Sequence, residues 1–305
     1  MGSSLLTFTR SDPQSEVAVP AKGGRPRPWL VLLRRPGFVV GLLVILVDLA
    51  AALFAPVLAP HNPLTQYTSG LSAIGAPLPP GGVFPLGTDE LGRDILSRLI
   101  YGSQVALTVG IGATAVTLAC GTFVGVLAGY FGGAWDTALM RFTDIMLAFP
   151  FVLFVIFVAS VLHPSIGVIV LAIGLFGWAP TARIARGQTL AVRSLTYVEA
   201  AKATGASHSR IQWRHILPNI LGPVLAYAFL QIGTNITLEA AISYLGAGPP
   251  PPMPDWGAMV AEGQNAMTTA PWLFFFPGLA IMITVVAFNL VGDTWQRSMF
   301  GRNRR

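Results

Sequence analysis

Six long apolar stretches divide this chain, at roughly Gly37–Leu58, Val105–Tyr130, Ile145–Leu162, Ile166–Ala182, Leu221–Gly246 and Trp272–Val291. A helix rises about 1.5 Å per residue and a bilayer core is roughly 30 Å thick, so about 20 apolar residues cross it once. The third and fourth stretches are short for that task. Only His163-Pro164-Ser165 joins them, which predicts a tight antiparallel pair. A buried hairpin in a water-soluble core is the bland reading of one such stretch, and six of them in 305 residues argue against it. Charge content agrees, at 10% of residues where a soluble domain carries roughly 25%. The sequence therefore predicts an all-α integral membrane protein of about six transmembrane helices.

The distribution of Lys and Arg sets the orientation. Six lie in 1–36 (Arg10, Lys22, Arg25, Arg27, Arg34, Arg35), and six more in 183–220 (Arg183, Arg186, Arg193, Lys202, Arg210, Arg214). The last segment holds four, whereas 59–102 holds two, 131–141 one and 247–271 none. This alternation predicts both termini and the 183–220 loop on the cytoplasmic side. The excess of base is scattered over loops instead of forming one folded basic face, so no nucleic-acid partner is expected.

The expected organisation is a cytoplasmic tail over 1–36, a first transmembrane helix over 37–58, an extracytoplasmic segment over 59–102, and a five-helix core over 103–305. The polar, basic tail reads as disordered. Its length, with an apolar run of 22 residues behind it, favours an uncleaved anchor over a signal peptide. In 59–102 the side shared by Ile95, Leu96, Leu99 and Ile100 predicts an amphipathic helix at the outer interface. Pro249 to Pro252 predict a stiff polyproline II stretch, and the indole of Trp256 an interfacial anchor. In the second span Gly121, Gly125 and Gly129 recur every fourth residue, a spacing for close helix packing, and Gly110 and Gly112 precede them.

No phosphate-binding Gly-x-x-x-x-Gly-Lys-Ser/Thr occurs, so this chain is not expected to hydrolyse ATP itself. The four histidines are scattered across loops, the lone Cys120 lies in an apolar run, and neither a metal site nor a disulfide is expected. The informative segment is the long basic loop. Thr196 followed by Glu199 is a capping-box pattern that starts a helix. Gly205 is placed to end it in a left-handed conformation. A second short helix fits Ser207 to His215, stopped before Pro218. These residues read equally well as a docking surface or as an amphipathic connector. In the fifth span Thr234, Asn235, Thr237, Glu239 and Ser243 make the most polar stretch of the six. Asn235, Thr237 and Glu239 are candidates to line a path, and hydrogen bonding between helices is the competing reading.

The run Glu199-Ala200-Ala201, three residues, Gly205, nine residues, His215, one residue, Leu217-Pro218 resembles the EAA loop of ATP-binding-cassette importer permeases. It departs at His215, where the general pattern has an aliphatic residue. Leu86-Gly87-Thr88-Asp89-Glu90-Leu91-Gly92-Arg93-Asp94, Ala128-Gly129-Tyr130-Phe131-Gly132-Gly133 and Pro254-Asp255-Trp256-Gly257 resemble the dipeptide, oligopeptide and nickel branch, closest to its C-type subunit. The resemblance implies a transport subunit of the bacterial inner membrane with no cofactor of its own. It implies a second homologous permease subunit, one or two ATPase subunits that bind ATP and Mg, an extracytoplasmic substrate-binding protein, and membrane lipid around it. Glu199, Ala200, Ala201, Gly205, His215, Leu217 and Pro218 would couple to the ATPase. It also implies a peripheral first span, so that Asp48 is structural. A secondary transporter or a polytopic membrane enzyme is the alternative, and neither inverted repeats nor convergent catalytic groups are visible for them.

Overall fold

The computed structural model describes residues 32–33, 35–163 and 165–300, with no side-chain description for Met299 and Phe300. The expected N-terminal tail as far as residue 31, Arg34, and the basic residues Arg302, Arg304 and Arg305 lie outside the described residues.

Helix α1 (Pro36–Leu53) is followed by one further turn, Ala55–Leu58. After an irregular stretch, the segment expected on the outer side, comes α2 (Ile95–Phe131), 37 residues long. At 1.5 Å per residue α2 extends roughly 55 Å, well beyond a bilayer core. The separate interfacial helix expected near Ile95 is instead the first turns of α2. Its start is set by Asp94, whose carboxylate accepts from the Ser97 backbone N–H at 2.9 Å, and Ile95 is buried under the outer segment.

The third and fourth spans, expected as a tight antiparallel pair of short stretches, are each broken. Helix α3 (Gly133–Ala148) meets α4 (Phe151–Val161) at 78°, and α5 (Ile166–Phe176) meets α6 (Ala179–Arg193) at 45°. Pro150 explains the first break, because it forces Phe149 before it into an extended conformation with ψ 139°. The second falls at Gly177-Trp178, just ahead of Pro180 in the first turn of α6. Beyond the short helices α7 (Thr196–Ala203) and α8 (His208–Ile211) come α9 (Leu217–Tyr244), α10 (Trp256–Gln264) and α11 (Trp272–Phe300), the last of the described residues. Among the described residues four helices can cross a membrane by length and composition, or up to six if each bent pair counts as one.

Helix α2 is the central post. Its glycine row lies against α6 as the spacing predicted: a Cβ on Gly125 would stand 2.4 Å from the Ala182 carbonyl oxygen, and one on Gly121 2.6 Å from Thr181. Helices α5 and α9 pack on α2, and α11 joins α9 to α1. Gly41 lets α1 approach α11, and the Thr284 hydroxyl donates to Asp48 at 2.8 Å. Asp48 thus ties the first span to the last, consistent with a structural role.

The side assigned to each loop is open to a direct test. With Cys120 replaced by Ser, single cysteines at Ser194 and Thr268, both exposed, should label from opposite sides of the membrane. An impermeant maleimide on intact cells should reach Thr268→Cys and spare Ser194→Cys. Equal labelling of both would contradict the orientation.

Candidate coupling loop

The basic loop forms a compact knob on the ends of α2, α6 and α9. Val198, Ile211, Ile216 and Ile220 are fully buried there, packed with Val126 and Tyr130 of α2 and Ala185 of α6. Val198 points α7 inward and leaves Glu199, Ala200, Lys202 and Ala203 exposed on its outer side, with Tyr197 44% exposed beside them. Ala201 is half-buried against the core.

The start of α7 differs from the expected capping box. Leu195 occupies the N-cap position with ψ 139°, and no side chain caps it. Thr196 is therefore the first helical residue, and Glu199 sits one place too far along to reach back. Glu199 instead lies in the first turn, where a carboxylate favours the positive end of the helix dipole. The helix end follows the expectation. Gly205 has φ +79°. The Gly205 N–H donates to the Lys202 carbonyl at 3.0 Å and the Ala206 N–H to that of Ala201 at 3.1 Å, the paired bonds of a Schellman motif.

The second helix does not stop before Pro218. Ser207 caps α8, its hydroxyl accepting from the Arg210 N–H at 3.3 Å. A π turn over Gln212–Ile216 then carries the chain without interruption into α9. Pro218 falls in the first turn of α9, where its missing N–H costs least. The loop is thereby welded to the fifth span. His215 is half-buried 6.1 Å from the Tyr197 ring, its carbonyl accepting from the Asn219 side chain at 2.6 Å.

Tyr130, His208, Lys202 and Arg193 bind this knob to the rest, and their part in it was not read from the sequence. The Tyr130 hydroxyl lies 2.8 Å from Nδ1 of His208, and the Lys202 ammonium sits 5.5 Å over the Tyr130 ring. Arg193 donates to the carbonyls of Gly129 and Tyr130 at 3.1 and 2.8 Å, satisfying the end of α2. The Ala128-Gly129-Tyr130 motif was the available signal. Arg186 pairs with Asp136 at 2.5 Å and Arg183 with Asp144 at 2.6 Å. Several of the loop's positive charges therefore serve the fold.

The residues expected on a path divide. Asn235 is 1% exposed and donates to Thr114 of α2 at 2.9 Å, while Glu239 is 1% exposed and accepts from Ser243 at 2.9 Å. Ser243 also lies 3.1 Å from Asp255. Both Asn235 and Glu239 are buried within the chain, Asn235 bonded across to α2 and Glu239 bonded within α9, an arrangement that fits the hydrogen-bonding alternative. Thr237 is exposed, with Thr234 one turn away on the same face.

The motifs expected on the outer side interlock. Asp89, Arg93 and Arg98, all buried, meet the half-exposed Glu262 of α10. Asp255 caps α10 through the Ala258 N–H at 2.9 Å. Trp256 is buried, not interfacial, because Gly102 leaves room for its indole, which donates to the Leu99 carbonyl at 2.9 Å. Residues 249–253 fold into bends and a turn instead of a polyproline II rod.

Comparison with known proteins agrees with this anatomy. Residues 121–305 match the family described as binding-protein-dependent transport system inner membrane component. Residues 27–80 match the N-terminal TM domain of oligopeptide transport permease C. The glutathione transport system permease protein GsiD of Pectobacterium atrosepticum is 38% identical over 265 residues, covering 87% of each chain. The oligopeptide transport system permease protein OppC of Bacillus subtilis is 38% identical over 254 residues, covering 83% of this chain and 82% of that one. The dipeptide transport system permease protein DppC of Haemophilus influenzae is 36% identical over 299 residues, covering 96% of each. A solved structure, described as the crystal structure of an amino acid ABC transporter with histidines, aligns with 66% of this chain and 94% of its own at TM-score 0.51 and 14% identity. That likeness concerns the fold alone. The chain belongs to the binding-protein-dependent transport system inner membrane components, as a multi-pass permease subunit of a bacterial ATP-binding-cassette importer.

Proposed function

We propose that this chain forms half of a pathway for dipeptides, oligopeptides or related small solutes, with a second homologous permease subunit as the other half. One or two separate ATPase subunits bind ATP and Mg, and an extracytoplasmic binding protein delivers the solute. The cargo classes follow the names of the relatives, which are dipeptide, oligopeptide and glutathione permeases.

Docking on the ATPase falls to Glu199, Ala200, Ala201 and Gly205 of α7, followed by His215, Leu217 and Pro218. The single observation that carries this reading is the pose of α7: Val198 is fully buried while Glu199 and Ala200 face outward, and the π turn continues the same segment into α9. A push on α7 is thus delivered to a membrane span. ATP binding would bias a membrane domain with two states, and the differential contacts of α7 with the ATPase set the coupling. Thr237 and Thr234, exposed on α9, replace Asn235 and Glu239 as the groups for a path or for the face of the second permease.

A photo-cross-linker on Ala200→Cys, in the Cys120→Ser chain, tests the docking. An adduct with an ATP-binding subunit is expected, and its yield should change between nucleotide-free and ATP-bound states. Adducts confined to lipid or to the other permease would refute it.

A further inference from the structure

We propose that the groove between the basic end of α9 and the facing part of α2 binds an anionic phospholipid. The groove has a volume of about 420 Å³ and is lined almost wholly by apolar side chains, among them Leu118, Phe123 and Leu127 of α2, Trp213 of the π turn, and Leu221 and Leu225 of α9. Phe123 is 65% and Trp213 68% exposed, so the groove opens sideways between two membrane spans instead of closing into the core. Such a slot accepts an acyl chain.

What selects the headgroup is the charge at one end. Trp213 is flanked in the chain by Arg210 and Arg214, both exposed, and a tryptophan beside a basic cluster is the composition of a membrane–water boundary. No Asp or Glu occurs in α2, in α6, or anywhere from Ala200 to Leu238. Arg210 and Arg214 stand three residues before and one after the groove-lining Trp213, and these elements offer them no acid; the nearest in the sequence is Glu199 of α7. A basic pocket between spans attracts anionic headgroups, at roughly 1 kcal/mol per Lys or Arg near the surface. Apolar lining below and unneutralised cations above together fit a lipid with a phosphate-bearing anionic head. An apolar helix of another subunit would fill the slot but leave Arg210 and Arg214 unmatched.

The complete transporter, purified from its own membrane, provides the test. It should be incorporated into nanodiscs of phosphatidylcholine with a minor fraction of phosphatidylglycerol, and the lipid retained after detergent extraction measured by native mass spectrometry. Phosphatidylglycerol should be enriched over phosphatidylcholine. The double variant Arg210→Gln, Arg214→Gln should lower that enrichment tenfold or more, and inorganic phosphate should not compete for the site. Leu221→Trp, which fills the groove and keeps both arginines, should lower retention of either lipid. Equal retention of the two lipids by the unaltered protein, or unchanged enrichment in the double variant, overturns the proposal. So does a thiol cross-link from Leu221→Cys to the second permease, which would assign the groove to a subunit contact.

Discussion

Replacing Asp89 with Ala should remove most of the folded chain from the membrane. The Asp89 carboxylate accepts from the Arg93 side chain at 2.6 Å, the Arg98 side chain at 2.5 Å, and the backbone N–H groups of Leu91 and Arg93 at 2.9 Å each. Its side chain is 4% exposed, and those of Arg93 and Arg98 are 8% and 2%. Glu262 is the other acid within reach of both guanidiniums among the described residues, and it is 43% exposed. Breaking a buried pair by deleting one partner costs about 3–5 kcal/mol, and here the half-exposed Glu262 alone would remain to neutralise two buried guanidiniums. That is comparable with the whole stability of many domains, at 5–15 kcal/mol. The thermal transition of the detergent-purified chain should fall by several degrees and its membrane level several-fold. Asp89→Asn, which keeps an acceptor for the backbone N–H groups, should lose less. An Asp89→Ala protein with unaltered level and transition would show that the cluster does not hold the outer segment to α10.

Much of the fold was legible because hydrophobic length and glycine spacing are local properties. The apolar runs located every helix that crosses the core, and the Gly121-Gly125-Gly129 row named the face of α2 that meets α6. The breaks at Pro150 and Gly177 were missed because counting apolar residues is blind to direction: a bent pair and a straight helix have the same hydropathy. Trp256 was misplaced for a different reason. An indole with a polar N–H suits a membrane boundary or a buried acceptor equally, and only the fold brings the Leu99 carbonyl and the space over Gly102 to it.

The candidate site divides along the same line. Gly205 was readable because a left-handed helix end is a local demand on the backbone. Thr196 was not, since moving a helix start by one residue turns a capping box into an ordinary first turn. For Asn235 and Glu239 the choice between a path and a helix contact was not readable, because it depends on Thr114 of α2 for the first and, for the second, on Ser243 one turn away, which also reaches Asp255. Polar character in a span marks a group that needs a partner, without saying which.

The central claim is that α7 carries the stroke of a separate ATPase into the membrane, and Gly205→Val isolates it. Gly205 holds φ +79°, and a Cβ there would meet no atom within 4 Å, so the change introduces backbone strain and no clash. A β-branched residue in that conformation costs about 1–3 kcal/mol, too little to unfold the chain and enough to undo the Schellman bonds that fix the end of α7. Misplacement of a docking helix by that energy reduces coupling by roughly five- to a hundredfold, since each 1.4 kcal/mol is a factor of ten. The quantity to measure is solute taken up per ATP hydrolysed, in vesicles holding the complete transporter at matched protein levels. The account predicts that Gly205→Val retains the second permease, keeps a normal membrane level, and falls about fivefold or more in that ratio. Uptake per ATP equal to that of the unaltered protein would contradict it.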